Sequence, residues 1–322
     1  MKAVVIKEPG NISLEQVKIP EPEPGFVRIK VKAAAICATD LEVLDGNIPA
    51  NYPLSPGHEW SGIVDAVGSE EDAHWIGKRV IGSSDVVCLK CEACRSGNWR
   101  YCNDFEEIGF KRSGAYAEYA IMPAYGLVEL PENVSFAQGA LCEPLGVALG
   151  TLEKAGAKYG DTCLIMGAGS IGLCMLAAAK AMGLKDIVVV ATSDKRLKIA
   201  KEMGAVRTIA SKDEDVMEVM RKLRPQGTDV VIDATGIEVC IQQCLKLTKK
   251  GGEFEKVPTV VFGPFEAPIY RAEGRCRMRF VIKCKLNSDT RALFDALLKK
   301  FSVDRQTGNE TQISLDFNPT NL

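Results

Sequence analysis

The sequence predicts an α/β protein in two parts, a β-rich, barrel-like domain followed by a doubly wound parallel sheet. Three observations carry this. The first 125 residues or so hold short apolar stretches of period two bounded by Gly and Pro, as in Val27-Arg28-Ile29-Lys30-Val31-Lys32 and Gly62-Ile63-Val64-Asp65-Ala66-Val67. From about Leu141, helical stretches alternate with apolar runs at Cys163–Met166, Ile187–Val190, Asp229–Asp233 and Thr259–Phe262, the pattern of a parallel sheet with crossover helices. A glycine-rich turn, Gly167-Ala168-Gly169-Ser170-Ile171-Gly172, follows the first of those runs.

Taken in order, Lys2-Ala3-Val4-Val5-Ile6-Lys7-Glu8 reads as a first strand, since it is too short and too soon charged for a signal peptide. A chain of 322 residues is long for one core and comfortable for two domains. With 46% hydrophobic and 25% charged residues, the balance is that of a soluble globular protein. The net charge of −2 provides no bulk basic field for nucleic acid or anionic lipid. No apolar run approaches the roughly 18 to 20 residues of a spanning helix, so no membrane partner and a cytoplasmic location are expected.

Twelve cysteines without an export signal argue against a disulfide framework. Four of them crowd together as Cys88-x-x-Cys91-x-x-Cys94 and then Cys102. Four thiolates satisfy tetrahedral Zn²⁺, and closely spaced ligands let one short lobe wrap the ion. Chance clustering or redox cysteines are the competing explanation. Four protein ligands leave no open position, so a zinc here is expected to be structural and to rigidify the lobe over 86–103. Most of the scattered remainder (Cys37, Cys142, Cys163, Cys174, Cys240, Cys244, Cys276 and Cys284) are expected to be small buried hydrophobes.

A second metal set is dispersed along the chain. Gly57-His58-Glu59-Trp60-Ser61-Gly62 stands between two β-like runs, with Cys37-Ala38-Thr39-Asp40 upstream and Leu141-Cys142-Glu143-Pro144-Leu145 downstream. Each piece alone is weak, because a lone histidine or cysteine is more often structural than a ligand. Together they offer one thiolate, one imidazole and one or two carboxylates, the composition of a zinc site that keeps a position open. Asp40 is suited to orient a ligand from behind, and Thr39 carries a hydroxyl beside the candidate ligand, suited to a proton relay. Of the two histidines, His74 lies in Asp72-Ala73-His74-Trp75 and reads as a surface turn. Trp60, Glu42 and Val43 are candidates to line the pocket.

The strand–glycines–helix–strand context makes the Gly167–Gly172 turn a dinucleotide cradle, with Gly167, Gly169, Ser170, Ile171 and Gly172 at the pyrophosphate. An NAD site would place Asp or Glu at the end of the next strand. Here Ala191 stands at that position, followed by Thr192, Ser193, Asp194, Lys195 and Arg196. Small and hydroxyl residues with Lys195 and Arg196 nearby admit a 2′-phosphate, so the cofactor is NAD or NADP with a lean to NADP. Alternatively, Arg196 is a helix residue covering the adenine.

The set Cys37-x-Thr39-Asp40, Gly57-His58-Glu59-x-x-Gly62-x5-Gly68, the four-cysteine lobe, Glu143-Pro144 and GxGxxG resembles the zinc-dependent medium-chain dehydrogenases/reductases in order and spacing over about residues 1–250. Glu143-Pro144-Leu145 resembles their sorbitol (polyol) and threonine dehydrogenase branches, and Gly-His-Glu-Trp-Ser-Gly is similar to bacterial cyclitol and aminocyclitol dehydrogenases. The resemblance implies a GroES-like catalytic domain over 1–146, a Rossmann NAD(P)-binding domain over 147–284 and a return of the chain to the first domain over 285–322. It implies two zincs per chain. One is catalytic, on Cys37, His58 and either Glu59 or Glu143, and Thr39 belongs to the proton relay with Asp40 and Glu59 beside it. The other is structural, on Cys88, Cys91, Cys94 and Cys102. A small-molecule alcohol substrate and a homodimer or homotetramer follow from the same likeness.

After Gly251-Gly252 the pattern degrades. Glu253–Pro258 interrupts an expected direct strand, the Arg-Tyr-like substrate contacts that the resemblance implies fall at Ile282-Lys283-Cys284, where neither aromatic nor Arg stands, and the closing strand and helix lack a clear counterpart. Beside a zinc-dependent secondary-alcohol dehydrogenase, three readings therefore stand: a threonine-type dehydrogenase, a catalytically impaired nucleotide-binding homologue, and a zinc-free quinone reductase. The full ligand set argues against the last.

Overall fold

The computed structural model describes residues 1–249 and the backbones of two strands, Val260–Ala272 and Arg275–Lys283. The Glu253–Pro258 interruption, Cys284 and the 285–322 return lie outside the described residues. The chain divides into two compact units, Met1–Gly150 and Thr151–Leu322.

The first unit begins with an antiparallel hairpin, β1 (Lys2–Glu8) and β2 (Asn11–Gln16). There follow β3 (Phe26–Ala34), α1 (Ala38–Leu44), β4 (Trp60–Val67), β5 (Arg79–Gly82), β6 (Asp85–Val86) and the short α2 (Glu92–Arg95). Then come β7 (Glu106–Glu107), β8 (Tyr119–Pro123), β9 (Leu127–Glu129), α3 (Phe136–Ala140) and α4 (Cys142–Lys154), the last crossing the unit boundary. Five strands form one antiparallel sheet in the order β8-β3-β4-β5-β9.

Strand parity sets the core. In β3 the alternate residues Val27 and Ile29 are fully buried, and they pack with Trp60, Val64, Val80 and Met122. Arg28, between them, points away and pairs with Asp65 and Glu21. Ser135 and Gln138 form a capping box that starts α3, and Ser61 Oγ donates to the Phe136 carbonyl at 2.6 Å, tying that helix to β4. His74 closes an exposed 3-10 turn, Glu70–Trp75, as expected of a surface histidine. Trp60 (2% exposed) and Val43 (0%) are core residues and not pocket lining, which corrects the sequence expectation. The parity of Trp60 with Val64 puts its ring inside the sheet core, and Val43 packs with Ile6, Leu54 and Phe110. Glu42 is exposed and accepts a hydrogen bond from Asn47 at 2.8 Å.

The second unit is built on β10 (Thr162–Met166), α5 (Ser170–Ala181), β11 (Lys185–Ala191), α6 (Asp194–Glu202), β12 (Arg207–Ala210), α7 (Val216–Leu223), β13 (Val230–Asp233) and α8 (Glu238–Leu247). The four strands are parallel in the order β12-β11-β10-β13. Central strands covered on both faces should be uniformly apolar, and Cys163, Leu164, Ile165 and Met166 are all buried. Asp215 caps α7 by accepting from the Met217 and Glu218 amides, and Val216 and Met220 turn one face of that helix inward. The run at Thr259–Phe262 departs from expectation. The strand there is longer, β14 (Val260–Ala272), and among the described residues it pairs antiparallel with β15 (Arg275–Lys283), outside the parallel sheet. Of the scattered cysteines, Cys163 and Cys244 are buried, whereas Cys37, Cys142, Cys174 and Cys240 are only partly so.

Candidate active site and metal centres

The four lobe cysteines converge. The ligand atoms of Cys88, Cys91, Cys94 and Cys102 all lie within 4.8 Å of one another, and all four residues are free thiols. Backbone amides turn toward the sulfurs: Cys88 N donates to Cys102 Sγ at 3.3 Å, Cys91 N to Cys88 Sγ at 3.4 Å and Cys94 N to Cys91 Sγ at 3.4 Å. These amides favour thiolates, and the Cys94 amide brings the Cys91 thiol down to about 6. Burial and the neighbouring Cys91 push Cys94 up to about 12. Four sulfurs this close cannot all ionise without a cation among them, so the donor set fits a closed tetrahedral Zn²⁺. The lobe rests on Val87, Phe105 and Tyr125, whose hydroxyl accepts from Val87 N at 2.8 Å and donates to the Asp85 carbonyl at 3.0 Å.

The dispersed set also assembles. Cys37 caps α1, while His58 and Glu59 immediately precede β4, and the ligand atoms of all three lie within 4.8 Å of one another. The turn before them needs Gly57, at φ +100°, where a Cβ would lie 2.5 Å from Tyr116 Cδ1. His58 Nδ1 faces Asp40 Oδ1 at 3.5 Å, yet neither atom makes a hydrogen bond, although both are buried. Orphaned buried polar atoms beside a thiol, an imidazole and a carboxylate are the donor chemistry a divalent cation satisfies. Ser84 Oγ donates to the His58 carbonyl at 2.8 Å, and the Phe110 ring lies 5.2 Å from the imidazole. Thr39 Oγ1 sits 3.4 Å from Cys37 Sγ.

The electrostatics of this set are mutual. Burial disfavours charge on His58, but Asp40 and Cys37 outweigh it and raise the imidazole to about 10. His58 in turn lowers Cys37 against the opposing effect of burial. Asp40 is held low despite burial by His58 and Tyr116. Glu59 is pushed up by burial and by the Glu143 charge, and burial likewise raises Glu143. Glu143, on the first turn of α4, thus lies in electrostatic reach of Glu59 and His58 but outside the close three-residue cluster. No local motif marks Tyr116, Ser84, Phe110 or the half-buried Glu107. Each reaches the site across a long stretch of chain, and only the paired glycines Gly57 and Gly114, whose backbones come close, hint at the Tyr116 approach.

In the second unit, Gly167 has φ +105° and leads from β10 toward α5. A Cβ on Gly172 would sit 1.9 Å from the Gly167 carbonyl oxygen, so the turn closes only with glycine there. Gly169 caps α5 without a side-chain bond and opens onto free space, which leaves the amides of Ser170 and Ile171 available to an anion. Ala191 ends β11, Thr192 follows, and Ser193 caps α6. Asp194 is taken up by Lys212 at 2.5 Å, while Arg196 lies on the exposed first turn of α6.

An antiparallel barrel-like unit and a parallel nucleotide-type sheet, each carrying such a donor set or cradle, define the class of zinc-binding dehydrogenases. Residues 23–132 match the alcohol dehydrogenase GroES-like domain and residues 170–270 the zinc-binding dehydrogenase family. The chain is 36% identical over 258 residues to the L-threonine 3-dehydrogenase of Pyrococcus horikoshii, covering 78% of this chain and 74% of the relative. It is 33% identical over 259 residues to the sorbitol dehydrogenase of Bacillus subtilis, covering 79% and 73%. A zinc-binding dehydrogenase from Sinorhizobium meliloti 1021, solved bound to NADP, superposes with a TM-score of 0.73 at 35% identity, covering 78% of this chain and 74% of that one. The chain belongs to the zinc-dependent medium-chain alcohol dehydrogenase family.

Proposed function

We propose that this protein oxidises a secondary alcohol on a small hydroxylated substrate, a polyol or cyclitol, with NAD(P) as acceptor. The observation that carries this reading is the convergence of Cys37, His58 and Glu59 within 4.8 Å, with Asp40 behind the imidazole. When bound, zinc supplies Lewis-acid polarisation of the substrate hydroxyl and the nicotinamide supplies the hydride acceptor. Cys37 Sγ and His58 hold the metal, and with Nδ1 turned to Asp40, Nε2 is the nitrogen left to ligate. Glu59 is the third ligand favoured by this geometry, and Glu143 acts from beside it. Thr39 Oγ1 would relay the proton of the substrate hydroxyl, accepting it while giving its own to the cofactor ribose. The second zinc is structural, held by Cys88, Cys91, Cys94 and Cys102.

Pyrophosphate binds at Gly167, Gly169, Ser170, Ile171 and Gly172. The lean to NADP rests on Ala191, on the hydroxyls of Thr192 and Ser193, on Arg196, and on Lys212, which pairs with Asp194 at the start of α6. On this reading the chain is organised as 1–146, 147–284 and 285–322, assembles as a homodimer or homotetramer and works in the cytoplasm. No helix among the described residues is long and apolar enough to cross a membrane.

A threonine-type substrate is the second reading. Burial and the Glu143 charge raise Glu59, and burial, Asp85 and the Glu143 charge raise Glu107, and carboxylates gathered around Glu143 suit a substrate bearing an ammonium group. A turnover screen over alditols, cyclitols and threonine with both cofactors decides. Turnover on a polyol or cyclitol supports the first reading and selective turnover of threonine the second. Tight cofactor binding with no turnover on any alcohol identifies an impaired homologue.

A further inference from the structure

We infer that Tyr116 is a positioning residue for the Cys37–His58–Glu59 set and acts through Asp40, an inference that rests on the catalytic-zinc reading. Asp40 is 5% exposed and its two oxygens have different surroundings. Oδ2 accepts from the Cys37 amide at 3.0 Å and from the Tyr116 hydroxyl at 2.5 Å. Oδ1 receives no hydrogen bond and faces His58 Nδ1 at 3.5 Å. Two donors on one oxygen fix the plane of the carboxylate and so aim the other oxygen at the imidazole. The Tyr116 hydroxyl also lies 2.9 Å from the Ala35 carbonyl, just upstream of Cys37.

The tyrosine is itself clamped. Its amide donates to the Pro56 carbonyl at 3.0 Å, and its carbonyl accepts from Val4 N at 2.8 Å. Its ring lies on Gly57, leaving no room for a Cβ there. One side chain therefore spans from the backbone that presents His58 to the carboxylate behind its ring. Packing requires the ring, which phenylalanine would supply equally, so the hydroxyl is the part that serves Asp40. Without it, Oδ2 keeps only the Cys37 amide, the carboxylate turns more freely, and His58 loses its fixed orientation. Outer-shell partners of this kind set ligand orientation and basicity, and their loss typically weakens metal binding by about 10- to 100-fold.

The test is a chelator-competition titration of zinc on the full chain as wild type, Tyr116→Phe, Asp40→Asn and the double variant. Tyr116→Phe should weaken one zinc by about tenfold and leave the cysteine-lobe zinc unchanged as an internal control. In the Asp40→Asn background, Tyr116→Phe should add nothing, because the hydroxyl works through the carboxylate. The inference is overturned by wild-type zinc affinity in Tyr116→Phe, by the same loss in both backgrounds, or by a Tyr116→Phe chain that does not fold. A wild-type chain that binds only the lobe zinc overturns the catalytic-zinc reading and the inference together; two zincs with an indifferent Tyr116→Phe overturns the inference alone.

Discussion

Asp40 Oδ1 and His58 Nδ1 face each other across 3.5 Å in the interior of the first unit, both buried and neither hydrogen bonded to any other group. A buried carboxylate behind an imidazole fixes the tautomer and frees the opposite nitrogen for a ligand. Asp40→Asn keeps the shape and removes the charge. Zinc on the Cys37–His58–Glu59 set should weaken by about 10- to 100-fold, and kcat should fall with it. Equilibrium zinc titration beside kcat checks this; unchanged affinity would show that Asp40 merely caps α1.

The cysteine lobe should behave as a stability element. Cys91→Ser should release one zinc per chain and lower thermal stability by about 2 kcal/mol or more, or about 4 to 8 °C in melting temperature at this size. Metal content by mass spectrometry and a thermal melt measure both, and unchanged metal content would sink the structural-zinc assignment.

Cofactor choice turns on the end of β11. Ala191→Asp would place a carboxylate where a 2′-phosphate is to be admitted and should shift the kcat/KM ratio toward NAD by about tenfold or more, equivalent to about 1.4 kcal/mol. Calorimetric binding of 2′,5′-ADP against 5′-AMP provides a readout free of turnover. A wild-type preference for NAD would show that the neutral strand end is only tolerated.

Lys249, at 2.6 Å, and Thr162 hold the Asp229 carboxyl below the ordinary carboxylate range, linking the start of β10 to the chain beyond α8. A folded pKa below the unfolded value of about 3.9 adds stability that is present above that pH and lost as pH falls toward the folded value. Asp229→Asn should therefore lower the melting temperature at pH 7, and the gap should narrow as pH drops through about 4. A gap independent of pH would assign the effect to packing.

Much of this was legible in the sequence for a physical reason: the informative features are local. The spacing Cys88–Cys91–Cys94–Cys102 confines four sulfurs to one lobe, GxGxxG makes its own turn, and β3 alternates within nine residues. Cys37, His58 and Glu59 were weak signals singly and became a set only when their donor types were taken together and matched by the resemblance, since the fold brings Cys37 to the other two. Tyr116 was invisible because its bond to Asp40 spans 76 positions of sequence. Trp60 was misplaced for a different reason. An aromatic beside a metal motif looks like pocket lining, yet its parity with Val64 on β4 was on hand and puts it in the core. The run at Thr259–Phe262 looked like a parallel strand because apolar content does not specify a partner, and β14 instead pairs with β15.

The central claim is that His58 and its partners hold a catalytic zinc, and the most direct measurement is metal content by mass spectrometry beside kcat on the best alcohol for wild type and His58→Ala. His58→Ala should fold, since the cysteine lobe and the parallel sheet do not use His58, and it should bind cofactor through the untouched Gly167, Gly169 and Gly172. Wild type should carry two zincs per chain and His58→Ala about one, with kcat lower by orders of magnitude, because Lewis-acid polarisation contributes several kcal/mol and about 1.4 kcal/mol is tenfold in rate. A His58→Ala protein with both metals and near-normal kcat would contradict the account and leave only the nucleotide-binding fold.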